Sequence, residues 1–271
     1  MSIDIDKSQA DLVRRFVLSV TIPILHEIGH SAAVVATGTL FKIANRSFII
    51  TVRHLFDQVS DLTLLAYPEN PLKGALRTFG DMKLYKPDDD KIDVAVIELH
   101  SQETIARLEA RWQFLTLQNV ASPSANPENG AVFVAGYPVA LTGENNGWTH
   151  GSFLTAYTQR RPDVPTDLKE PYIEGLDLFF DYGREAQALD GQSVFTPDLE
   201  GVSGGSVWEL VESQSIIWSA VDNVRVVGVQ SSFRHSDFTR AKNWWAVAKV
   251  LEQIDERLAS EVRARLDSNL S

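Results

Sequence analysis

The pattern of apolar residues after about residue 31 constrains the fold of this chain most strongly. From there on, apolar and β-branched residues come in short runs separated by Gly, Pro, Asn and Asp. Such runs, bounded by turn residues, are typical of the strands of antiparallel sandwiches and barrels. The strands predicted in this way are 32–43, 47–52, 62–66, 93–99, 131–135, 176–180, 207–210 and 224–229. The sequence therefore predicts an all-β fold.

Helices are predicted in three places only. Short helices are expected over 8–18 and 101–112, and the stretch 239–266 has apolar residues at helical spacing that predict a long C-terminal helix. We expect one domain with two β lobes and a linker between them. Its predicted parts are an N-terminal extension over 1–30, a first barrel over 31–121, a Pro- and Asn-rich linker over 122–130, a second barrel over 131–238 and a C-terminal helix over 239–268.

Charge and cysteine content limit the class of function and the compartment. The formal net charge is −11, from 25 Lys and Arg against 36 Asp and Glu, which argues against nucleic-acid binding and favours basic ligands over acidic ones. The chain has no cysteine, so thiol chemistry, cysteine metal sites and disulfides are excluded. Because the apolar run 16–25 is too short for a membrane span and residues 1–11 contain a single Lys and no basic region, we expect a cytoplasmic protein without membrane association.

Three short segments carry residues suited to nucleophilic catalysis. His54 ends an apolar strand, Asp93 begins another, and Ser203 lies in a glycine-rich turn. A serine hydroxyl needs a base within hydrogen-bond reach, and a histidine can take its proton and return it. A carboxylate fixes the imidazole tautomer, and a glycine-rich turn lets backbone N–H groups converge on a developing oxyanion. These residue types therefore favour a serine hydrolase.

The three segments resemble the signature regions of the trypsin-like (chymotrypsin-fold, S1-type) serine protease family, in that family's order of His, Asp and Ser. Residues 51–54 (Thr-Val-Arg-His) are similar to Thr-Ala-Ala-His, 93–96 (Asp-Val-Ala-Val) to Asp-Ile-Ala-Leu, and 201–205 (Gly-Val-Ser-Gly-Gly) to Gly-Asp-Ser-Gly-Gly. Supporting similarities occur at 36–40, 136–138 and 228–231.

The resemblance implies the fold and the function. The implied fold is two antiparallel six-stranded β-barrels with a C-terminal α-helix and a short N-terminal helix. The implied activity is that of a serine endopeptidase that needs no cofactor or metal and acts on a protein or peptide substrate. Because an unregulated cytoplasmic protease would be hazardous, we also expect control, for example by a regulatory protein partner. The implied site residues are the triad His54, Asp93 and Ser203, the oxyanion-hole N–H groups of Gly201 and Ser203, and the substrate-cleft residues Ser231, Ser232 and Phe233.

The sequence also departs from the family's pattern next to the serine. Val202 stands where the family usually has Asp, whose carboxylate pairs with a newly cut N-terminus in zymogen-activated members. We therefore do not expect activation by N-terminal clipping. The preferred substrate side chain does not follow from the sequence, although Phe233 is expected to narrow the pocket.

Other interpretations compete with the serine endopeptidase. A protease-fold module that no longer cleaves, and acts as a binding or sensor protein, would carry the same segments. A zinc peptidase is suggested by His26, Glu27 and His30, a literal His-Glu-x-x-His motif that binds zinc when it lies on a helix; Pro23 disfavours a helix there.

The Gly-x-Ser-x-Gly pattern at 201–205 also matches the nucleophile elbow of α/β hydrolases. That elbow needs a strong central strand before the serine, which Pro197 opposes. Its acid and base would have to be Asp222 and His235, within 32 residues of the serine (235 minus 203). This leaves too little chain for the required βα units, and we reject the α/β hydrolase interpretation.

Overall fold

A computed structural model describes residues 5–28, 31–71, 73–121, 131–145, 148–166, 168, 171–188, 191–211 and 218–267. The predicted linker over 122–130 lies outside the described residues. The helices are α1 (Lys7–Val20), α2 (Leu55–Gln58), α3 (Gln102–Glu109), α4 (Ala220–Asn223), α5 (Trp244–Leu251) and α6 (Glu256–Asp267).

Most of the chain forms strands. Those before residue 100 are β1 (Thr21–Ile28), β2 (Ser31–Ile43), β3 (Arg46–Thr51), β4 (Leu65–Pro68), β5 (Lys73–Gly74), β6 (Leu76–Thr78), β7 (Met82–Tyr85) and β8 (Ala95–Leu99). Those after residue 130 are β9 (Val132–Gly136), β10 (Thr142–Asn145), β11 (Trp148–Gly151), β12 (Leu154–Thr158), β13 (Arg160–Arg161), β14 (Asp177–Asp181), β15 (Glu185–Gln187), β16 (Ser193–Phe195), β17 (Ser206–Leu210), β18 (Val224–Arg234) and β19 (Phe238–Asn243).

Two curled seven-stranded sheets dominate the fold, and all neighbouring strands in them are antiparallel. The first sheet has the order β6-β4-β1-β2-β3-β8-β7, and the second has the order β12-β9-β17-β18-β19-β14-β13. The prediction of an all-β fold with two antiparallel β units is confirmed. Each unit has seven strands where six were expected, because very short edge strands such as β6 and β13 extend the sheets.

The N-terminal helix and the strand after it follow from local sequence. Asp6 and Gln9 form a reciprocal capping box at the start of α1, which satisfies two backbone N–H groups of the first turn. The helix ends at Val20, because the β-branched residues Thr21 and Ile22 and then Pro23 follow it. These residues form β1, which pairs with β2 and β4. The first sheet therefore begins at Thr21, and not at residue 31 as the predicted boundary has it.

The C-terminal region differs from the prediction of one long helix over 239–268. Residues 239–243 belong to strand β19 and not to a helix. They pair with β18, for example Thr239 with Phe233. Asn243 then caps α5 by accepting a hydrogen bond from the backbone N–H of Trp245. Asp255 similarly accepts from Leu258 N–H at the start of α6. Two polar capping residues thus divide a stretch whose apolar spacing alone is continuous.

A shared apolar core joins the two sheets to the helices. One buried cluster contains Val17 of α1, Ile49 of β3, Trp208 of β17 and Leu258 of α6. Because both sheets contribute to the same core, their facing edges are held in a fixed relation, and the candidate site lies between them. In the described part of the chain, no helix is both long and apolar enough to cross a membrane.

Candidate active site

His54 and Asp93 meet because of the register between β3 and β8. These strands are antiparallel and pair Thr51 with Ala95. His54 follows the end of β3, and Asp93 precedes the start of β8, so both residues lie at the same end of the ladder. Buried residues flank both positions, Val52 before His54 and Val94 after Asp93, which fixes the two backbones against the core.

The carboxylate of Asp93 contacts His54 with both oxygens. Asp93 Oδ2 lies 2.7 Å from His54 Nδ1, and Oδ1 accepts a hydrogen bond of 2.9 Å from the backbone N–H of His54. This arrangement stabilises the tautomer with the proton on Nδ1 and leaves Nε2 available as a base. Burial alone would lower the pKa of His54, but the hydrogen bond and negative charge of Asp93 outweigh burial and raise the pKa above the usual histidine value.

The loop that carries Ser203 requires glycine at two positions. Gly201 and Gly204 have φ values of +87° and +90°, a region that residues with a Cβ adopt only at a cost of about 1–2 kcal/mol. Space is also limited, since a Cβ on Gly201 would lie 2.7 Å from the carbonyl oxygen of Tyr137. A Cβ on Gly204 would overlap the carbonyl oxygen of Thr37 and the hydroxyl of Thr51.

The backbone N–H groups of this loop divide into two sets. Those of Val202, Gly204 and Gly205 donate to backbone carbonyl oxygens within the protein. Those of Gly201 and Ser203, the two predicted oxyanion-hole donors, make no hydrogen bond with any described residue. The two N–H groups that the prediction requires are thus the ones without a hydrogen-bond acceptor among the described residues.

Thr37 of the first sheet anchors the serine loop of the second. Its backbone N–H donates to Ser203 O at 2.8 Å, and its Oγ1 donates to Gly201 O at 2.7 Å. The same Oγ1 accepts from Tyr137 N–H at 3.0 Å, while Thr37 O accepts from Thr51 Oγ1 at 2.8 Å. Thr37 is fully buried. Sequence reasoning did not single out Thr37, because its partners in the second sheet, Tyr137, Gly201 and Ser203, are 100 to 166 residues away along the chain.

The side chain of Val202 packs in the apolar core. It is fully buried and belongs to an apolar cluster with Leu199, Val134 and Val207. The position where the similar family has a carboxylate therefore lies in an apolar environment, where an unpaired charge would be costly.

All the predicted site residues except Gly201 line one cleft of about 530 Å³. His54, Asp93 and Ser203 line it together with Ser231, Ser232 and Phe233 of β18. Among the described residues, His54 is hydrogen-bonded to Asp93 and not to Ser203. Hydrogen bonds between nucleophile and base are often long in ligand-free enzymes and shorten when substrate binds.

The cleft also contains a buried charged cluster that sequence reasoning missed. Arg240 and Lys242 of β19 line the cleft, and both contact Asp177 of β14. The side chains of Arg240, Lys242 and Asp177 are only 5%, 1% and 1% exposed. The sequence signal that could have revealed the cluster is the alternation of Arg240 and Lys242, since residues two apart on a strand face the same side.

The zinc motif does not have the geometry it would need. His26 and Glu27 lie on β1, where they pair with Ala33 and Ala32, so the helical spacing that brings two histidines together is absent there. His30 lies outside the described residues. Within the residues that the structure describes, no group of three His, Cys, Asp or Glu side chains is positioned to hold a metal ion.

Solved structures with a similar fold include two at low sequence identity. One is a chain from a structure concerning the coupled folding and binding of the intrinsically disordered Sesbania mosaic virus VPg protein, with a TM-score of 0.48, 14% identity and coverage of 88% of this chain and 91% of that one. The other is the MamO protease domain from Magnetospirillum magneticum in its apo form, with a TM-score of 0.48, 12% identity and coverage of 88% and 98%. No protein-family model and no curated protein sequence matches the chain.

The fold and the site together define a two-sheet β domain with one candidate active-site cleft. Two curled antiparallel sheets enclose a cleft in which a histidine–aspartate pair of one sheet faces a glycine-rich serine loop of the other.

Proposed function

We propose that the chain is a serine endopeptidase in which Ser203 is the nucleophile, His54 the general base and Asp93 the orienting acid. The observation that carries the proposal is the pair of Asp93–His54 hydrogen bonds beside a serine loop whose Gly201 and Ser203 N–H groups have no acceptor among the described residues. Orientation of the base and an available oxyanion site are the two features that peptide hydrolysis by serine requires.

The proposed reaction follows from these positions. Ser203 Oγ attacks the carbonyl carbon of the peptide bond while His54 Nε2 takes the hydroxyl proton, and Asp93 stabilises the imidazolium that forms. The N–H groups of Gly201 and Ser203 donate to the resulting oxyanion. Collapse of this intermediate breaks the C–N bond, and His54 gives its proton to the leaving amine. Water, activated in turn by His54, then hydrolyses the acyl ester on Ser203.

A second candidate is a protease-fold binding or sensor module that does not cleave. The observation that favours it is the missing hydrogen bond between His54 and Ser203 in the ligand-free cleft. In this case the cleft would bind a peptide segment of a partner protein and release it unchanged. A module of this kind would lose no function when Ser203 is replaced by alanine, whereas an endopeptidase would lose it almost completely.

Hydrolysis of an unfolded protein such as casein separates the two candidates. We expect wild-type protein to release acid-soluble peptides, and Ser203→Ala to reduce the rate by at least about 10³-fold, as removal of a triad member does. Ser193→Ala is the matched control, because Ser193 is exposed on β16 and should leave the rate unchanged. Equal rates of hydrolysis in wild type and Ser203→Ala would contradict the serine endopeptidase proposal. If a chelator abolished hydrolysis, a metal-dependent peptidase would be favoured instead.

We further propose that the chain acts as one peptidase domain in the cytoplasm on protein or peptide substrates, without cofactor. The absence of cysteine from 271 residues supports a reducing compartment. Control by a protein partner is compatible with this location, since an unrestrained cytoplasmic protease would damage other proteins.

A further inference from the structure

We propose that the cleft recognises an acidic side chain of the peptide, glutamate or aspartate, next to the bond that is cleaved. This inference rests on the proposed endopeptidase function and assigns its substrate class. The acidic net charge of the whole chain favours basic ligands at long range, so the argument depends on the groups inside the cleft.

The cleft wall made by β18 and β19 presents hydrogen-bond donors. Ser232 is paired with Arg240 in the β18–β19 ladder, and side chains of paired residues in an antiparallel ladder lie on the same face of the sheet. Lys242, two residues after Arg240, shares that face. All three line the same cleft as Ser203. The wall therefore brings a hydroxyl, a guanidinium and an ammonium group towards one volume.

The carboxylate behind this wall already has its hydrogen bonds. Asp177 accepts from Arg240 Nε at 2.7 Å, from Lys242 Nζ at 2.9 Å and from the backbone N–H of Ile173 at 2.6 Å. An ammonium group has three N–H donors. Among the described residues, Lys242 Nζ contacts two acceptors, the two carboxylate oxygens of Asp177. Lys242 therefore retains capacity for an acceptor supplied from the cleft.

A second, independent observation points to the same kind of ligand. The hydroxyl of Ser232 is buried and has no hydrogen-bond partner among the described residues. Buried polar groups are nearly always satisfied, and a substrate group that enters the cleft could supply the partner that Ser232 lacks. An acceptor-rich group would satisfy Ser232 and Lys242 together, and a carboxylate is the protein side chain with most acceptor sites and no competing donor.

Burial makes the discrimination large. The ammonium of Lys242 is on a side chain that is 1% exposed, so a carboxylate bound beside it is shielded from water and its interaction is stronger than at the surface. A substrate glutamine has nearly the same shape as glutamate but carries no charge and has only one acceptor oxygen. Its two amide N–H donors would face the donors of Lys242 and Ser232. We therefore expect the protein to prefer glutamate to glutamine by at least about tenfold, or about 1.4 kcal/mol.

The test compares two peptide substrates that differ only in Glu or Gln before the cleaved bond. The measured quantity is the ratio of their kcat/KM values. In wild-type protein this ratio is expected to be at least about tenfold in favour of Glu. Lys242→Gln should reduce it to near unity, and in this variant Asp177 keeps its two hydrogen bonds from Arg240. Lys249→Gln, an exposed lysine on α5, is the matched control and should keep the wild-type ratio.

Labelling of Ser203 by a small fluorophosphonate tests the folding and reactivity of each variant without using the donor wall. Labelling of Lys242→Gln at a rate within about threefold of wild type, with a lost Glu preference, supports the inference. A wild-type ratio near or below unity, or a ratio unchanged in Lys242→Gln, overturns it while leaving the endopeptidase proposal intact. No Ser203-dependent cleavage of either peptide, or of casein, overturns both proposals.

Discussion

The hydroxyl of Thr37 gives the most specific prediction about how the two sheets cooperate. Thr37→Val keeps the shape of the side chain but removes its hydrogen bonds with Gly201 O and Tyr137 N–H, which are 2.7 and 3.0 Å long. Both backbone groups are buried, and a buried unsatisfied polar group costs about 1–3 kcal/mol. We therefore expect the free energy of unfolding to fall by about 2–6 kcal/mol, within the total of about 5–15 kcal/mol typical of a domain.

The variant should also slow the proposed chemistry, because Gly201 O belongs to the loop that holds both proposed oxyanion donors. We expect the rate of fluorophosphonate labelling of Ser203 to fall by at least about tenfold at a temperature where the variant is folded, while Thr37→Ser keeps most of the rate. Denaturant unfolding and labelling kinetics measure the two effects on the same samples.

A neighbouring threonine separates loop positioning from general loss of stability. Thr39 Oγ1 is hydrogen-bonded to Ser206 Oγ at 2.7 Å, also buried and also between the two sheets. Thr39→Val should therefore destabilise the protein by about 1–3 kcal/mol without slowing the labelling of Ser203. Equal labelling rates in Thr37→Val, Thr39→Val and wild type would refute the positioning role of Thr37.

Three further predictions concern the site and the wall behind it. Burial lowers the pKa of His54, but Asp93 outweighs burial and raises this pKa. In a pH–rate profile, kcat/KM should therefore be lost as pH falls through a value above about 6.5. Asp93→Asn should lower kcat by about 10⁴-fold, as in a comparable triad. Gly204→Ala should destabilise the protein far more than Gly191→Ala in denaturant unfolding, because both glycines have positive φ but only Gly204 has backbone in the space of a Cβ. The pKa of Asp177 is lowered, because hydrogen bonds from Arg240, Ile173 N–H and Lys242 outweigh burial. The stability that Asp177 contributes is therefore present above about pH 3.9 and lost as pH falls through its folded pKa, and thermal melts of Asp177→Asn near pH 7 should show a loss of about 3–5 kcal/mol.

The strands and the His–Asp pair could be predicted because their signals are local. The run 47–52 covers all of β3 except Arg46, and the run 93–99 contains β8. A histidine after one strand and an acid before the other are adjacent once the strands pair antiparallel. The pairing register itself, Thr51 with Ala95, does not follow from either segment alone. The glycines at 201 and 204 are also local signals, because a positive φ restricts the residue type.

The features that could not be predicted depend on contacts between distant segments. Residues 239–243 fit a helical pattern together with 244–266, but pairing with β18 makes them a strand. This is a case in which tertiary pairing overrides local periodicity. For the same reason, the convergence of Arg240, Lys242 and Asp177 is not visible in the sequence, where 63 residues (240 minus 177) separate Asp177 from Arg240.

Location of a covalent adduct tests whether Ser203 is an activated nucleophile. Purified protein is treated with a fluorophosphonate, and the modified residue is identified by mass spectrometry of its peptides. We predict one adduct, on Ser203, that is absent from Ser203→Ala, strongly reduced in His54→Ala and unaffected by a chelator. An adduct on another serine, or no adduct on wild-type protein while a peptide still binds in the cleft, would contradict it.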